Sequence, residues 1–260
     1  SNNTALGYGS LSTETNGSRN VAIGVLALQN QDTSGGGNIY NTAVGALAGQ
    51  SVTTGIDNVL VGGLTGDALT TGQDNVVMGG GALGADTKGS RTVAIGRAAL
   101  QSQNLTTATN TNNVAVGYLA GGSITTGIQN VLVGAGAGDA LTDSDFNIAI
   151  GDGALGSDTL GDRSVAIGVN ALTTQNFTTS TQAYNTAIGH VAGTSVTTGT
   201  QNTFIGGLAG DAITTASQNV AIGVDALSTN TTASRNVAVG RSALATMNRT
   251  DDADSYNTGV

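Results

Sequence analysis

Asn20-Val21-Ala22-Ile23-Gly24 is an asparagine, three apolar residues and a glycine. Three central residues are too few for a helix, and the β-branched Val21 and Ile23 favour a strand. The unit begins first at Asn3 and recurs after Asn20 at Asn41, Asn58, Asn75, Thr92, Asn113, Asn130, Asn147, Ser164, Asn185, Asn202, Asn219, Asn236 and Asn257. Starts lie 17 residues apart, except that every fourth step is longer by four, so the pattern closes on itself after four coils; Arg19, Arg91, Arg163 and Arg235 mark that longer period. Fixed internal periods of this size identify stacked-coil architectures. Each short period holds two short strands and their turns, which is one coil of a β-solenoid. The sequence therefore predicts an all-β fold, with residues 1–260 forming a single repeat domain of about 14 coils. At ~4.8 Å per coil, such a stack is expected to be roughly 67 Å long.

Composition agrees with that reading and excludes the common alternatives. Of 260 residues, 41 are glycine, none is proline, cysteine or tryptophan, and only 10% are charged, far from an ordinary enzyme domain. Glycine is not at every third position and proline is lacking, so collagen is excluded. A 38% apolar content does not fit disorder. The net charge of −9 argues against nucleic acid as a partner. No apolar run is long enough to insert in a membrane as a helix.

Within the coil, glycine stands four residues after the start in all 14 complete units, which implies positive φ or no room for a Cβ. The position eight after the start is either Leu (28, 83, 100, 155, 172, 227) or Gly (49, 66, 121, 138, 193, 210). The position eleven after it reverses this: Val52, Leu69, Ile124, Leu141, Val196 and Ile213 accompany Gly, whereas Glu14, Gln31, Asp86, Gln103, Asp158, Gln175 and Asn230 accompany Leu, and only Met247 breaks the rule. One large apolar group per coil is thus expected to fill a common volume from either position. The recurring starting Asn predicts a hydrogen-bonded side-chain ladder. Strand alternation puts the middle apolar residue on the face opposite its two neighbours. Read as the outward row, it forms an apolar stripe that a soluble monomer seldom exposes, so Leu60, Val77, Leu132 and Phe204 are expected at an interface between copies of the chain.

Units such as Asn20-Val21-Ala22-Ile23-Gly24 and Ser164-Val165-Ala166-Ile167-Gly168, each followed by Ala27 or Ala171, resemble the head repeats of trimeric autotransporter adhesins. Tyr184-Asn185-Thr186-Ala187-Ile188-Gly189 is also similar to repeats of bacteriophage-type tail fibres. The resemblance implies a left-handed parallel β-roll and a homotrimer, exposed on a bacterial surface or on a virion. It implies a structural and adhesive fibre segment, part of a longer fibre, that attaches to a host-cell surface or glycan receptor. The alternatives are a ligand-binding solenoid for ice or glycan, with the Thr-Thr-Gly turns as the ice candidate, and a self-assembling surface filament.

No enzyme is expected. His190 is the only imidazole and reads as a solvent-facing residue, and no Ser/His/Asp set can be assembled by role. Asp143 with Asp145, and Asp251 with Asp252 and Asp254, offer oxygen atoms, but neither group has the nonapeptide spacing of calcium-binding β-rolls; no metal and no cofactor is assigned. Recognition is placed on the four-residue insertions of the long coils, since insertions in solenoids map to surface loops. One column of these reads Thr33, Leu105, Phe177 and Arg249, and the column before it Asp32, Asn104, Asn176 and Asn248. Leu105, Phe177, Arg249, Asn104, Asn176 and Asn248 are the receptor-binding candidates. The Asn-x-Thr triplets at 104, 176 and 248 also match the acceptor pattern for Asn-linked sugars.

Overall fold

The computed structural model describes residues 2–248 and 254–260. The chain forms two compact units, Ser1–Gln129 and Asn130–Val260, built in the same way. In the first, the strands Thr4–Leu6, Val21–Ile23, Thr42–Val44, Val59–Val61, Val76–Met78, Val93–Ile95 and Val114–Val116 pair in that order, all parallel. In the second, Val131–Val133, Ile148–Ile150, Val165–Ile167, Thr186–Ile188, Thr203–Ile205, Val220–Ile222, Val237–Val239 and Thr258–Gly259 do the same. Each strand pairs with its equivalent one coil away, as Val59↔Val76 and Leu60↔Val77 do. Each unit is therefore a parallel β-solenoid, and no helix occurs among the described residues.

The ladder at the coil start is present. The backbone N–H of most starting residues donates to the side-chain Oδ1 of the Asn one coil back: Asn58 to Asn41 at 2.9 Å, Asn75 to Asn58 at 3.1 Å and Ser164 to Asn147 at 2.9 Å. The run is interrupted after Thr92 and Ser164, which lack an Oδ1. The Nδ2 reaches across its own coil, from Asn41 to the Gly55 carbonyl at 2.7 Å and from Asn130 to the Ser144 carbonyl at 2.8 Å. These buried amides satisfy turn carbonyls that would otherwise be unpaired inside the coil. The glycine four residues on is required twice over. Gly134 has φ +139°, and a Cβ there would lie 2.5 Å from the Gly151 carbonyl oxygen.

The middle strand residue points inward, not outward. Leu60, Val77, Leu132 and Phe204 are 0% exposed within the single chain, so they are core residues and the expectation that they form the interface is corrected. The physical reason is parity. The ladder Asn and the middle residue are two apart on an extended segment and share a face. An interior ladder therefore draws the middle residue inside and turns the first and third strand residues out.

The eleventh position enters the volume left by glycine at the eighth, as expected, since a Cβ on Gly138 would lie 2.8 Å from Leu141 Cδ1, and the inward strand row shares that volume. Of the large middle residues, Leu60, Leu132 and Phe204 sit where glycine stands at the eighth position, and Val77 accompanies Leu83. A Cβ on Gly49 would lie 2.5 Å from Leu60 Cδ1, and one on Gly66 3.0 Å from Leu60 Cδ2. Phe204 fills the same place beside Gly193 and Gly210, at 2.7 and 2.5 Å. The eleventh position is interior in both coil types. Val52 and Leu69 are fully buried, and so are the polar Gln31, Asp86, Gln103, Asp158 and Gln175.

Candidate functional site

The long coils place their extra residues beside a buried carboxylate. Asp86 Oδ1 accepts from the N–H of Gly89 at 3.0 Å and of Leu105 at 3.1 Å, while Oδ2 accepts from Gln103 Nε2 at 2.6 Å. Four coils on, Asp158 repeats this with Gly161, Phe177 and Gln175 at 3.0, 3.0 and 2.6 Å. Glu14 does the same for Gly17, Gln31 and the Thr33 hydroxyl. Each glutamine then receives the ladder: Asn41, Asn113 and Asn185 donate to the Oε1 of Gln31, Gln103 and Gln175 at 2.9, 2.9 and 2.8 Å. Where Thr92 and Ser164 replace Asn, their hydroxyls accept from Gln103 and Gln175 at 3.3 and 3.0 Å.

Burial acts on these carboxyls with different outcomes. Burial pushes Asp158 above the ordinary aspartate value, against hydrogen bonds from Phe177, Gln175, Gly161 and Leu160. Burial acts in the same sense on Glu14, but there the hydrogen bonds from Gly17, Gln31, Thr33 and Asn16 prevail and hold it below the ordinary glutamate value. Asp67, Asp139 and Asp211, which recur at the four-coil period, are raised by partial burial, and Asp211 Oδ1 is buried with no hydrogen-bond partner.

The clamp decides the fate of the receptor-binding candidates. Leu105 and Phe177 are 6% exposed, tucked beneath the loop, so the expectation that they project into solvent is corrected. An apolar residue suits a position whose N–H is tied to an interior carboxylate and whose side chain must follow it inward. Asn104, Asn176 and Asn248 are exposed, and Arg249 lies outside the described residues. The exposed tips are small and hydroxylated: Thr106, Thr107 and Ala108 in one loop, Thr178, Thr179 and Ser180 in the next. Behind each tip the chain pairs parallel with the preceding coil, Thr109–Asn110 on Gly89–Ser90 and Thr181–Gln182 on Gly161–Asp162. One sign of the clamp is visible in the sequence: an acid and a glutamine one coil apart, Glu14 with Gln31, Asp86 with Gln103 and Asp158 with Gln175, returning with three of the four long coils.

Two further surfaces are regular. The first and third strand residues form an outward face of Val, Ile, Met, Leu and Thr without a charged residue. Much of it is half-buried by stacking along the ladder, but Met78 remains 40% and Ile205 37% exposed. Val25, Leu64, Val169 and Val224 are further exposed aliphatic residues, each between 43 and 49% exposed. The residue before each ladder position forms an exposed column at positive φ. In it Arg163 lies between Phe146 and Tyr184, 4.6 and 6.0 Å from the ring centroids, and Arg235 lies 5.5 Å from Tyr256 and donates to Gln218.

The Thr column twelve residues after the start is hydrogen-bonded within the protein. Thr70 donates to the Thr87 carbonyl at 2.7 Å and Thr214 to the Thr231 carbonyl at 3.0 Å. His190 is exposed. No cluster of three or more His, Cys, Asp or Glu gathers as a metal site among the described residues, and Asp251 and Asp252 lie outside them. No protein-family model, curated protein or solved structure matches the chain.

Proposed function

We propose that this chain is a segment of a structural and adhesive fibre, of the kind found in trimeric adhesin heads and phage tail fibres. Copies associate through the outward aliphatic strand face, and the long-coil loops meet the attached surface. The left-handed winding, the threefold arrangement and the location on a cell surface or virion rest on the resemblance of the Asn-Val-Ala-Ile-Gly units. The observation that carries the proposal is an outward row in each unit: Leu6, Ile23, Val44, Val61, Met78, Ile95 and Val116 in the first, and Val133, Ile150, Ile167, Ile188, Ile205, Ile222 and Val239 in the second. An aliphatic row of this length, with an equally uncharged row two residues before it, is the kind of surface that soluble monomers rarely leave open. Attachment would then work through multivalency, weak contacts repeated along associated chains.

Light scattering on the purified chain tests this. The expected mass is about three times the 25.4 kDa chain. Met78→Glu with Ile205→Glu should yield a folded monomer, because a buried charge is costly at an interface but tolerated at a solvent-facing strand position. A parent protein that remains a soluble monomer at all concentrations would overturn the reading. Loop function is tested separately: deleting residues 106–109 and 178–181 should leave the coils folded and lower adhesion to host cells.

A further inference from the structure

Six Asn-x-Ser/Thr triplets occur in the chain, beginning at Asn2, Asn16, Asn104, Asn176, Asn230 and Asn248. Three of these, at 104, 176 and 248, recur at the four-coil period and stand at the base of the long-coil loops. Asn2 is exposed in the first coil, outside the long-coil loops, and the structure separates Asn16 and Asn230 from the recurring sites. Asn230 is 0% exposed, and both ends of its amide are engaged, Nδ2 with the Ala233 carbonyl at 2.7 Å and Oδ1 with the Ala233 N–H at 3.2 Å. Asn16 is exposed, but its Nδ2 donates to the Ser34 carbonyl at 3.3 Å.

Asn104 and Asn176 differ from both. Their side chains are exposed, and only the oxygen is engaged, accepting from the Thr87 hydroxyl at 3.4 Å and the Thr159 hydroxyl at 3.0 Å. That contact leaves Nδ2 without a hydrogen bond. Their backbones are fixed by bonds to the Thr125 and Thr197 carbonyls at 2.8 and 2.9 Å. The middle residue of each triplet, Leu105 or Phe177, is buried and tied to a carboxylate, so the triplet is held with its first and third residues outward. Thr106 and Thr178, the hydroxyl residues of the pattern, are exposed.

From this we infer that Asn104 and Asn176, and by the repeat Asn248, are attachment sites for an Asn-linked sugar. The donor is an activated sugar, a nucleotide- or lipid-linked glycosyl diphosphate, delivered by an Asn-directed glycosyltransferase. Nδ2 attacks the anomeric carbon; the N–C bond forms as the C–O bond to the diphosphate breaks. The diphosphate leaves with the bonding pair, and the amide proton passes to a base of the transferase. One sugar would then stand in the second, third and fourth long coils, whereas the first carries Asp32 at that place. This inference is independent of the fibre reading.

The test incubates the folded full-length chain with a soluble Asn-directed glycosyltransferase and UDP-glucose, followed by intact-mass measurement and peptide mapping. One hexose each is expected on Asn104 and Asn176, with none on Asn230 or Asn16 and an unchanged melting temperature. Thr106→Ala and Thr178→Ala should each abolish addition at their own triplet alone, with the circular dichroism of the parent. No hexose on Asn104 and Asn176, under conditions that glycosylate a peptide of residues 102–108, would overturn the proposal. So would addition to Asn230 in the folded chain at the rate seen for Asn104.

Discussion

The coils that start at Asn41 and Asn58 and those that start at Asn75 and Thr92 fill the same interior volume with different residues. The first pair has Gly49 and Gly66 at the eighth position, Leu60 entering from the strand, and Val52 and Leu69 at the eleventh. The second has Leu83 and Leu100 at the eighth, Val77 and Ala94 in the strand, and Asp86 bonded to Gln103 at the eleventh. One interior is wholly apolar on that side; the other is part polar, with every polar atom of the clamp given a partner. Volume is conserved between them while the position that supplies it moves. Close packing asks for nothing more specific. The buried acid stands in the short coil before a long one and its glutamine in the long coil itself, so the carboxylate follows the loop rather than the core.

Four experiments sharpen or break this comparison. The largest effect is expected at Phe204, the largest of the fully buried side chains, which packs beside two glycines; Phe204→Ala should lower stability by about 3–5 kcal/mol, read from the denaturant midpoint. A change under about 1 kcal/mol would mean that neighbouring coils collapse into the space. Next, Leu100→Gly should lose about 2–5 kcal/mol. Adding Ala94→Leu should recover part of that loss, since it copies the arrangement of Leu60 with Gly66. Adding Gln103→Val should not, because it strips Asp86 and Asn113 of a buried partner. If valine rescues and leucine does not, the eleventh position rather than the strand supplies the missing volume.

The third experiment is a pH dependence. Burial raises Asp158, so the folded chain holds its proton more tightly than the unfolded chain. The sign follows from linkage: this group's contribution is fully present below the unfolded aspartate value and is lost as pH rises through the raised folded one. Asp158→Asn with Gln175→Met reproduces the pair found four coils later, Asn230 and Met247. That variant should lose the fall in stability that Asp158 contributes across the window beginning near pH 3.8. Urea titrations at several pH values would show it, and an unchanged slope would place the titration elsewhere. The smallest effect belongs to the exposed column, where Arg163→Ala should cost about 0.5–1 kcal/mol, typical of a solvent-exposed cation–π contact. A much larger loss would make that column part of the structural core.

Much of the coil is legible in the spacing alone. Parallel stacking, the glycine at four and the Asn ladder all follow from it, because repetition at a fixed period leaves few ways to pair equivalent segments. The facing of the strand is not legible in the same way. Taken alone, Val21-Ala22-Ile23 permits either orientation, and the larger outer pair makes the more obvious core; the constraint comes from Asn20, whose interior amide fixes the parity. Leu105 and Phe177 mislead for a related reason. An apolar residue on an inserted loop reads as a contact residue until the acid of the preceding coil, Asp86 or Asp158, is found to hold its N–H inside. That partner is distant in the chain, and only the four-coil period hints at it.

Each coil meets only the coils beside it, and the sequence of coil types returns to its starting point after every four. A block of four coils can therefore be copied or lost in one genetic event while every surviving coil keeps the kind of neighbour it had. No new packing problem has to be solved at the join, because the Leu pair again meets the Gly pair and the long coil again follows the coil type that precedes it. Length in such a chain is free to drift by whole blocks, whereas the gain or loss of a single coil would set its neighbours against the wrong partner and be selected against.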